Sequence, residues 1–196
     1  MTMFLLLFTA VLAYLLGSIP FGIVMAKVFG LGDLRAIGSG NIGATNVLRT
    51  GNKLAAFLTL LGDSGKGAAA VLLARALIGE EGAGTAALFA MLGHLYPVFL
   101  KFKGGKGVAT FLGTLLALSF PVGLAACATW LVTAVIFRYS SLSALVAALL
   151  APLYTAVLYH QHGAILVGIL SALIFYKHRE NIARMRAGNE TKIGQK

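Results

Sequence analysis

The chain is poor in acid and nearly without cysteine. Its 196 residues include one Cys, and only six Asp and Glu stand against 16 Lys and Arg. The lone Cys127 excludes an intramolecular disulfide and, set in an apolar run, reads as a small buried hydrophobe. Six acids leave no carboxylate pair suited to general acid/base work or to holding a metal, which argues against a metal-dependent phosphatase or nucleotide hydrolase. No metal and no cofactor are expected. The amino terminus lacks the basic residues that open a secretory signal peptide, so the apolar run from Met3 to Ala26 reads as a retained span.

What is present is grease with positive charge. Hydrophobic residues make up 59% of the chain, above the roughly 45–50% usual in soluble domains. After Met3–Ala26, apolar runs follow at about 54–78, 84–100, 108–119, 121–137, 142–159 and 163–176, separated by short polar or Gly/Pro stretches. The expectation is an all-α polytopic membrane protein of about seven transmembrane helices, with residues 1–196 forming a single integral membrane domain. A hairpin at Ser119-Phe120-Pro121 is preferred over one kinked span because of charge. With it, every Lys and Arg outside the spans falls on one face, and Glu80, Glu81, His160 and His162 fall on the other as loop residues; Lys66 and Arg75 lie within a span. The positive-inside rule then puts the amino terminus outside and the carboxyl terminus in the cytoplasm. Such a face attracts anionic membrane lipid, and no nucleic acid partner is expected.

Three polar stretches interrupt the apolar pattern. Gly38-Ser-Gly-Asn-Ile-Gly43 fits GxGxxG, but no strand precedes it, so a dinucleotide fold is rejected. Its physics survives. The glycines let backbone N–H groups converge on an anion, Ser39, Asn41, Thr45 and Asn46 add hydrogen-bonding groups, and Arg49 adds a bidentate fork. In Leu61-Gly-Asp-Ser-Gly-Lys-Gly67, which is read as an interruption of the second span, Asp63 and Lys66 are three apart and can face one another. Ionisable residues at membrane depth point to function. The third stretch, Gly93 to Thr110, carries Lys101, Lys103 and Lys106 beside Gly104 and Gly105. Gly65-Lys66-Gly67 and Gly105-Lys106-Gly107 echo one another, and both are expected to open a helix whose N–H groups face the cytoplasm. Neither is a Walker A loop. Ser140, Ser141 and Ser143 follow Arg138 in a short turn where at least one should cap a helix. His178 and Asn181, three apart, share a helical face in a basic tail that is otherwise expected to be solvated.

Several anion sites at one membrane face suggest phosphorylated substrates. No HxxxxD spacing of the soluble-type glycerolipid acyltransferases is present, since the fifth residue after His94 is Phe99. Four blocks in order nevertheless resemble a family: Gly17-Ser-Ile-Pro-Phe-Gly22, Gly38 to Arg49, Gly93-His-Leu-Tyr-Pro97 with Phe102 to Thr110, and His178-Arg-Glu-Asn181. They look like the bacterial PlsY family of acyl-phosphate:glycerol-3-phosphate acyltransferases, whose Asp-x-x-Lys-Gly motif is matched by Asp63, Lys66 and Gly67. The resemblance implies acyl transfer from fatty acyl phosphate to glycerol 3-phosphate, giving lysophosphatidate and inorganic phosphate, by a monomeric multi-pass protein whose site faces the cytoplasm from the inner membrane.

That reaction needs two anion sites near one carbonyl. Ser39, Gly40, Asn41, Gly43, Asn46 and Arg49 are expected to bind one phosphate, and Lys106 with Ser141, His178 and Asn181 the other; the sequence leaves open which is which. Lys103, Asp63 and Lys66 are counted with the substrate-binding residues. Amides of Gly104 and Gly105 are candidates for holding a tetrahedral oxyanion. His94 is a candidate base, although about seven residues, ~10 Å of helix, separate it from Lys101. A phosphate oxygen of the donor is the alternative proton acceptor. A carrier of phosphorylated solutes would also use broken helices, but nothing comparable to the charged clusters stands on the other face. A structural subunit that only binds lipid would leave Asp63 and Lys66 unexplained.

Overall fold

The structure, a computed structural model, describes residues 2–159 and 161–194. Among them are ten α-helices and two short 3-10 turns, arranged in two compact units, Met1–Leu118 and Ser119–Lys196.

The first unit holds α1 (Thr2–Gly17), α2 (Phe21–Val28), α3 (Ala44–Leu48), α4 (Lys53–Ile78), α5 (Glu80–Leu95) and α6 (Val108–Leu118). α1 lies along α5 and α4, and α4 along α5 and α6. Small residues make these contacts possible, as helix packing in lipid requires. A side chain at Gly93 would strike the Tyr14 carbonyl, and one at Gly113 the Ser64 carbonyl. Ala13, Ala70, Ala74, Ala86 and Ala90 form the core between α1, α4 and α5. On α4, Ala55, Thr59, Asp63, Lys66, Ala70 and Ala74 are buried, and their three- and four-residue spacing puts them on one face. Leu72, Leu73 and Leu77 of the same helix are exposed. Large apolar groups outside and small or polar ones inside is the arrangement that hydrocarbon surroundings favour.

Two expectations need correction here, while Arg75 lies within a span as expected. α4 runs unbroken through Gly65-Lys66-Gly67, so that echo opens no helix and its amides are tied up within the helix. Arg75 sits one turn from the end of α4, where its Nε pairs with Glu80 Oε1 at 2.7 Å and its Nη2 donates to the Leu118 carbonyl at 2.9 Å. It belongs to the far end of the unit and satisfies acceptors that the end of α6 would otherwise leave open. The first apolar run is two helices with a break at Ser18-Ile19-Pro20.

The second unit contains α7 (Phe120–Phe137), α8 (Ser140–Leu158), α9 (Gln161–Lys177) and α10 (Arg179–Arg186). α7 packs on α8 and α8 on α9. His160 lies outside the described residues, and His162 falls in the first turn of α9 rather than in a loop. Tyr139, not a serine, is the N-cap of α8, and no side chain caps it. Ser143 Oγ instead donates back to the Tyr139 carbonyl at 2.8 Å.

Among the described residues five helical segments are long and apolar enough to cross a membrane: 3–28, 53–78, 80–100, 120–137 and 140–158. Val108–Leu118 and Gly163–Lys177 are apolar but shorter. Eleven residues of α6 rise only ~16 Å, about half of a hydrocarbon core.

Candidate active site

One asparagine shapes the glycine-rich loop. Asn46, in α3 and 2% exposed, donates from Nδ2 to the carbonyls of Leu34 at 2.8 Å and Ile37 at 3.2 Å, and its Oδ1 accepts the Ser39 amide at 3.2 Å. Its amide group therefore positions the loop from beneath. Gly38 and Gly40 have φ of +52° and +65°, which L side chains rarely adopt. A Cβ on Gly38 would lie 2.5 Å from Arg49 Nη1, so the guanidinium is laid across the loop. Ser39 is exposed, and Gly40, Asn41, Gly43 and Arg49 are half-buried. Leu34, Val47, Ala26, Ala55 and Ala56 form the apolar seat below.

The lysine loop is joined to it. Arg35 Nη2 donates to the Lys103 carbonyl at 2.5 Å, a link that reading the residues one by one did not reveal. After the 3-10 turn Val98–Leu100, Lys101 and Phe102 both take positive φ, 51° and 62°. These two residues turn the chain back, and the Gly105 amide reaches the His94 carbonyl at 3.2 Å. A Cβ on Gly105 would run into the Nε2 edge of the His94 ring. The loop thus comes down to His94, and because α5 ends at Leu95 the expected ~10 Å of helix between His94 and Lys101 is not there. Because the Gly105 amide serves the His94 carbonyl, it is not the open oxyanion donor that the glycine pattern suggested. Lys103 is exposed and Lys106, two residues before α6, is half-buried.

Beneath this loop lies a charged cluster. Lys66 Nζ is 2.8 Å from Asp63 Oδ1, and both side chains are almost wholly enclosed. The ammonium also donates to the Ile19 carbonyl at 2.7 Å and stands 5.9 Å from the centre of the Phe21 ring. The break after α1 therefore supplies a carbonyl for a lysine in α4. His94 Nδ1 is 3.5 Å from Asp63 Oδ1 and 3.1 Å from Thr110 Oγ1, which itself donates to the Asp63 carbonyl at 2.9 Å. Asp63 and Lys66 face each other as their spacing predicted, but under the loop rather than on its surface. Ile19 and Thr110 were quoted in the sequence blocks without a role.

In the second unit Ser141, His178 and Asn181 are all buried. Sequence reasoning missed what engages two of them. Glu190 Oε1 accepts Ser141 Oγ at 2.7 Å and Asn181 Nδ2 at 2.5 Å, while Oε2 meets Arg184 Nε at 2.8 Å. Burial would raise the Glu190 pKa, but these hydrogen bonds and the Arg184 charge hold it below its ordinary value. The tail is strapped down rather than solvated: the Ile193 amide donates to the Arg138 carbonyl at 2.6 Å, and Lys192 lies 5.6 Å from the Tyr139 ring centre. His178 Nδ1 donates to the Ile174 carbonyl at 2.8 Å. Nothing local in the sequence links Glu190 to Ser141, 49 positions away.

Among the described residues no group of three or more His, Cys, Asp or Glu is placed to hold a metal. Residues 7–188 match a family described as glycerol-3-phosphate acyltransferase. The chain is 66% identical over 187 residues to the glycerol-3-phosphate acyltransferase of Jannaschia sp. (strain CCS1), covering 95% of this chain and 92% of that one. It is similar to two crystal structures of PlsY (YgiH), an integral membrane glycerol 3-phosphate acyltransferase. The glycerol 3-phosphate form gives a TM-score of 0.91 at 43% identity over 96% of both chains. The lysophosphatidic acid form gives 0.89 at 42% identity over 96% of this chain and 95% of that one.

Proposed function

The chain belongs to the glycerol-3-phosphate acyltransferase family, and from that premise we propose that it moves a fatty acyl group from acyl phosphate to glycerol 3-phosphate, releasing lysophosphatidate and inorganic phosphate in bacterial phospholipid synthesis. The observation that carries this reading is the joining of two glycine loops by the Arg35–Lys103 link, with Arg49 laid over one and Lys106 in the other. Two phosphorylated substrates need two cationic, amide-rich loops near one carbonyl, and the first unit brings two such loops together.

In this reading Ser39, Gly40, Asn41, Gly43 and Arg49 bind a phosphate on a loop held by Asn46. Lys103, Lys106 and the Gly104 backbone serve the other phosphate and the developing oxyanion, the Gly105 amide being engaged by the His94 carbonyl. Ser141, His178 and Asn181 of the second unit are further ligands for substrate anions, and Arg184 neutralises the carboxylate that holds Ser141 and Asn181. Asp63 and Lys66 act from below. The hydroxyl of glycerol 3-phosphate attacks the acyl carbonyl, the C–O bond to phosphate breaks, and a phosphate oxygen of the donor takes the hydroxyl proton, so no side chain is the general base.

Residues 1–196 act as one monomeric domain with seven crossings, the amino terminus outside and the site facing the cytoplasm of the inner membrane. The Arg35–Lys103 link supports this topology, because it puts the basic residues of 29–52 and 96–107 on one face, while Arg75 pairs with Glu80 at the other end of α4. In a Cys127→Ala background, Glu81→Cys should be labelled from outside and Asn189→Cys only once the cytoplasm is opened; the reverse pattern contradicts the topology.

The test of function is turnover by purified protein in detergent micelles. Product should form from acyl phosphate and not from acyl coenzyme A or acyl carrier protein. Equal rates with a thioester would overturn the donor assignment, and no product without a closed compartment would favour a carrier.

A further inference from the structure

The cluster under the lysine loop is more ordered than an ion pair requires. Thr110 has one hydroxyl proton, and Oγ1 gives it to the Asp63 carbonyl at 2.9 Å. Toward His94 Nδ1, 3.1 Å away, the same oxygen is therefore an acceptor, and Nδ1 must carry a hydrogen. Asp63 Oδ1 lies 3.5 Å from Nδ1, close enough for its charge to favour a hydrogen there. A second proton, on Nε2, would make an imidazolium and set two cations around one carboxylate that Lys66 already neutralises at 2.8 Å. The His94, Lys66 and Asp63 side chains are 5%, 1% and 3% exposed, and an uncompensated charge in such a place is what buried sites avoid. His94 is then neutral, with a lone pair on Nε2. That edge of the ring faces the place where a Gly105 side chain would be, and the main chain of the same histidine accepts the Gly105 amide at 3.2 Å.

We propose that Asp63 and Thr110 lock His94 in the Nδ1–H tautomer, and that its Nε2 lone pair is the post on which the Gly104–Gly107 loop is set. Asp63, Thr110 and His94 are then positioning residues; the loop carries the phosphate and oxyanion contacts. Only this last clause rests on the acyl-transfer reading. Glycine at 105 follows directly, because any side chain there would come between the ring and the loop.

The experiment is 15N spectroscopy of histidine-labelled protein in micelles, with His94 assigned by its loss in His94→Gln. The parent should give a protonated Nδ1 and an unprotonated Nε2, and Thr110→Val should convert part or all of it to the Nε2–H form. A resting imidazolium, a resting Nε2–H form, or an unchanged tautomer in folded Thr110→Val would overturn the lock. The readout does not depend on turnover, so a protein with the expected tautomer and no acyl transfer would sink the functional reading and leave the lock standing. Kinetics test the post. The glutamine amide reaches the place of Nε2 and asparagine only that of Nδ1, so His94→Gln should stay within ~10-fold of the parent kcat, about one hydrogen bond, and His94→Asn should lose more. A loss near 10³-fold in folded His94→Gln, together with the basic limb of the pH profile, is roughly what a missing general base costs and would contradict a positioning role.

Discussion

Asp63 and Glu190 are two carboxylates with similar tasks in different surroundings. Asp63 is enclosed between helices, is paired with Lys66 and holds His94 under the lysine loop. Glu190 stands in the carboxyl-terminal tail, is paired with the partly exposed Arg184 and holds Ser141 and Asn181. Each fixes polar residues that the proposed chemistry uses without itself being an attractive neighbour for an anion. The difference lies in what removal leaves behind. Without Asp63 a lysine is stranded at membrane depth, whereas without Glu190 the charge left behind is that of the partly exposed Arg184, so the first carboxylate governs folding and the second a local geometry.

The largest effect should come from breaking the dry pair on one side. Asp63→Leu leaves Lys66 with only the Ile19 carbonyl and the Phe21 ring, and a loss of ~3–5 kcal/mol in thermal unfolding is expected. Asp63→Leu with Lys66→Met removes both charges and should recover most of it. If the double variant is as unstable as the single one, the pair is not what fails. Next is a residue that belongs to neither carboxylate. Arg49→Lys keeps the charge over Gly38 but loses the fork, so kcat/KM for one substrate should fall roughly 10- to 100-fold with unfolding unchanged. Activity like the parent's at low substrate would remove the glycine-rich loop from the site.

The smallest effect belongs to the tail carboxylate, whose cationic partner is partly exposed. The folded-state pKa of Glu190 lies below its unfolded value, so its contribution is present at neutral pH and disappears as pH falls from the ordinary glutamate range through the depressed value. Glu190→Gln should therefore cost less than ~1 kcal/mol at neutral pH and flatten that acid-side loss. A difference between parent and variant that grows on acidification would reverse the sign of the account.

The two carboxylates also differ in how far the sequence revealed them. Asp63 and Lys66 lie three apart on a helix, a spacing that brings side chains together by local geometry alone. Ser141 and Glu190 are joined only by the tertiary path of the tail, which no local pattern encodes. The helical continuity through Gly65 and Gly67 is not legible locally, because glycine ordinarily weakens helices. In hydrocarbon, opening a helix strands its backbone groups, and Gly67 is needed because Thr110 and Thr114 of α6 pack against it. The return of the lysine loop to His94 depends on positive φ at Lys101 and Phe102, residue types that announce no such turn. The phosphate-loop character of Gly38–Gly43 was legible, but the part played by Asn46 was not, because its partners are carbonyls of the chain.

The central claim is that the acyl carbonyl, not the phosphorus, is the atom attacked. It is tested most directly with acyl phosphate carrying 18O in the oxygen that bridges carbon and phosphorus, turned over with glycerol 3-phosphate in micelles. Attack at carbon breaks the C–O bond, so the label should leave in inorganic phosphate. Label retained in a fatty carboxylate, with the phosphoryl group passed elsewhere, would contradict acyl transfer.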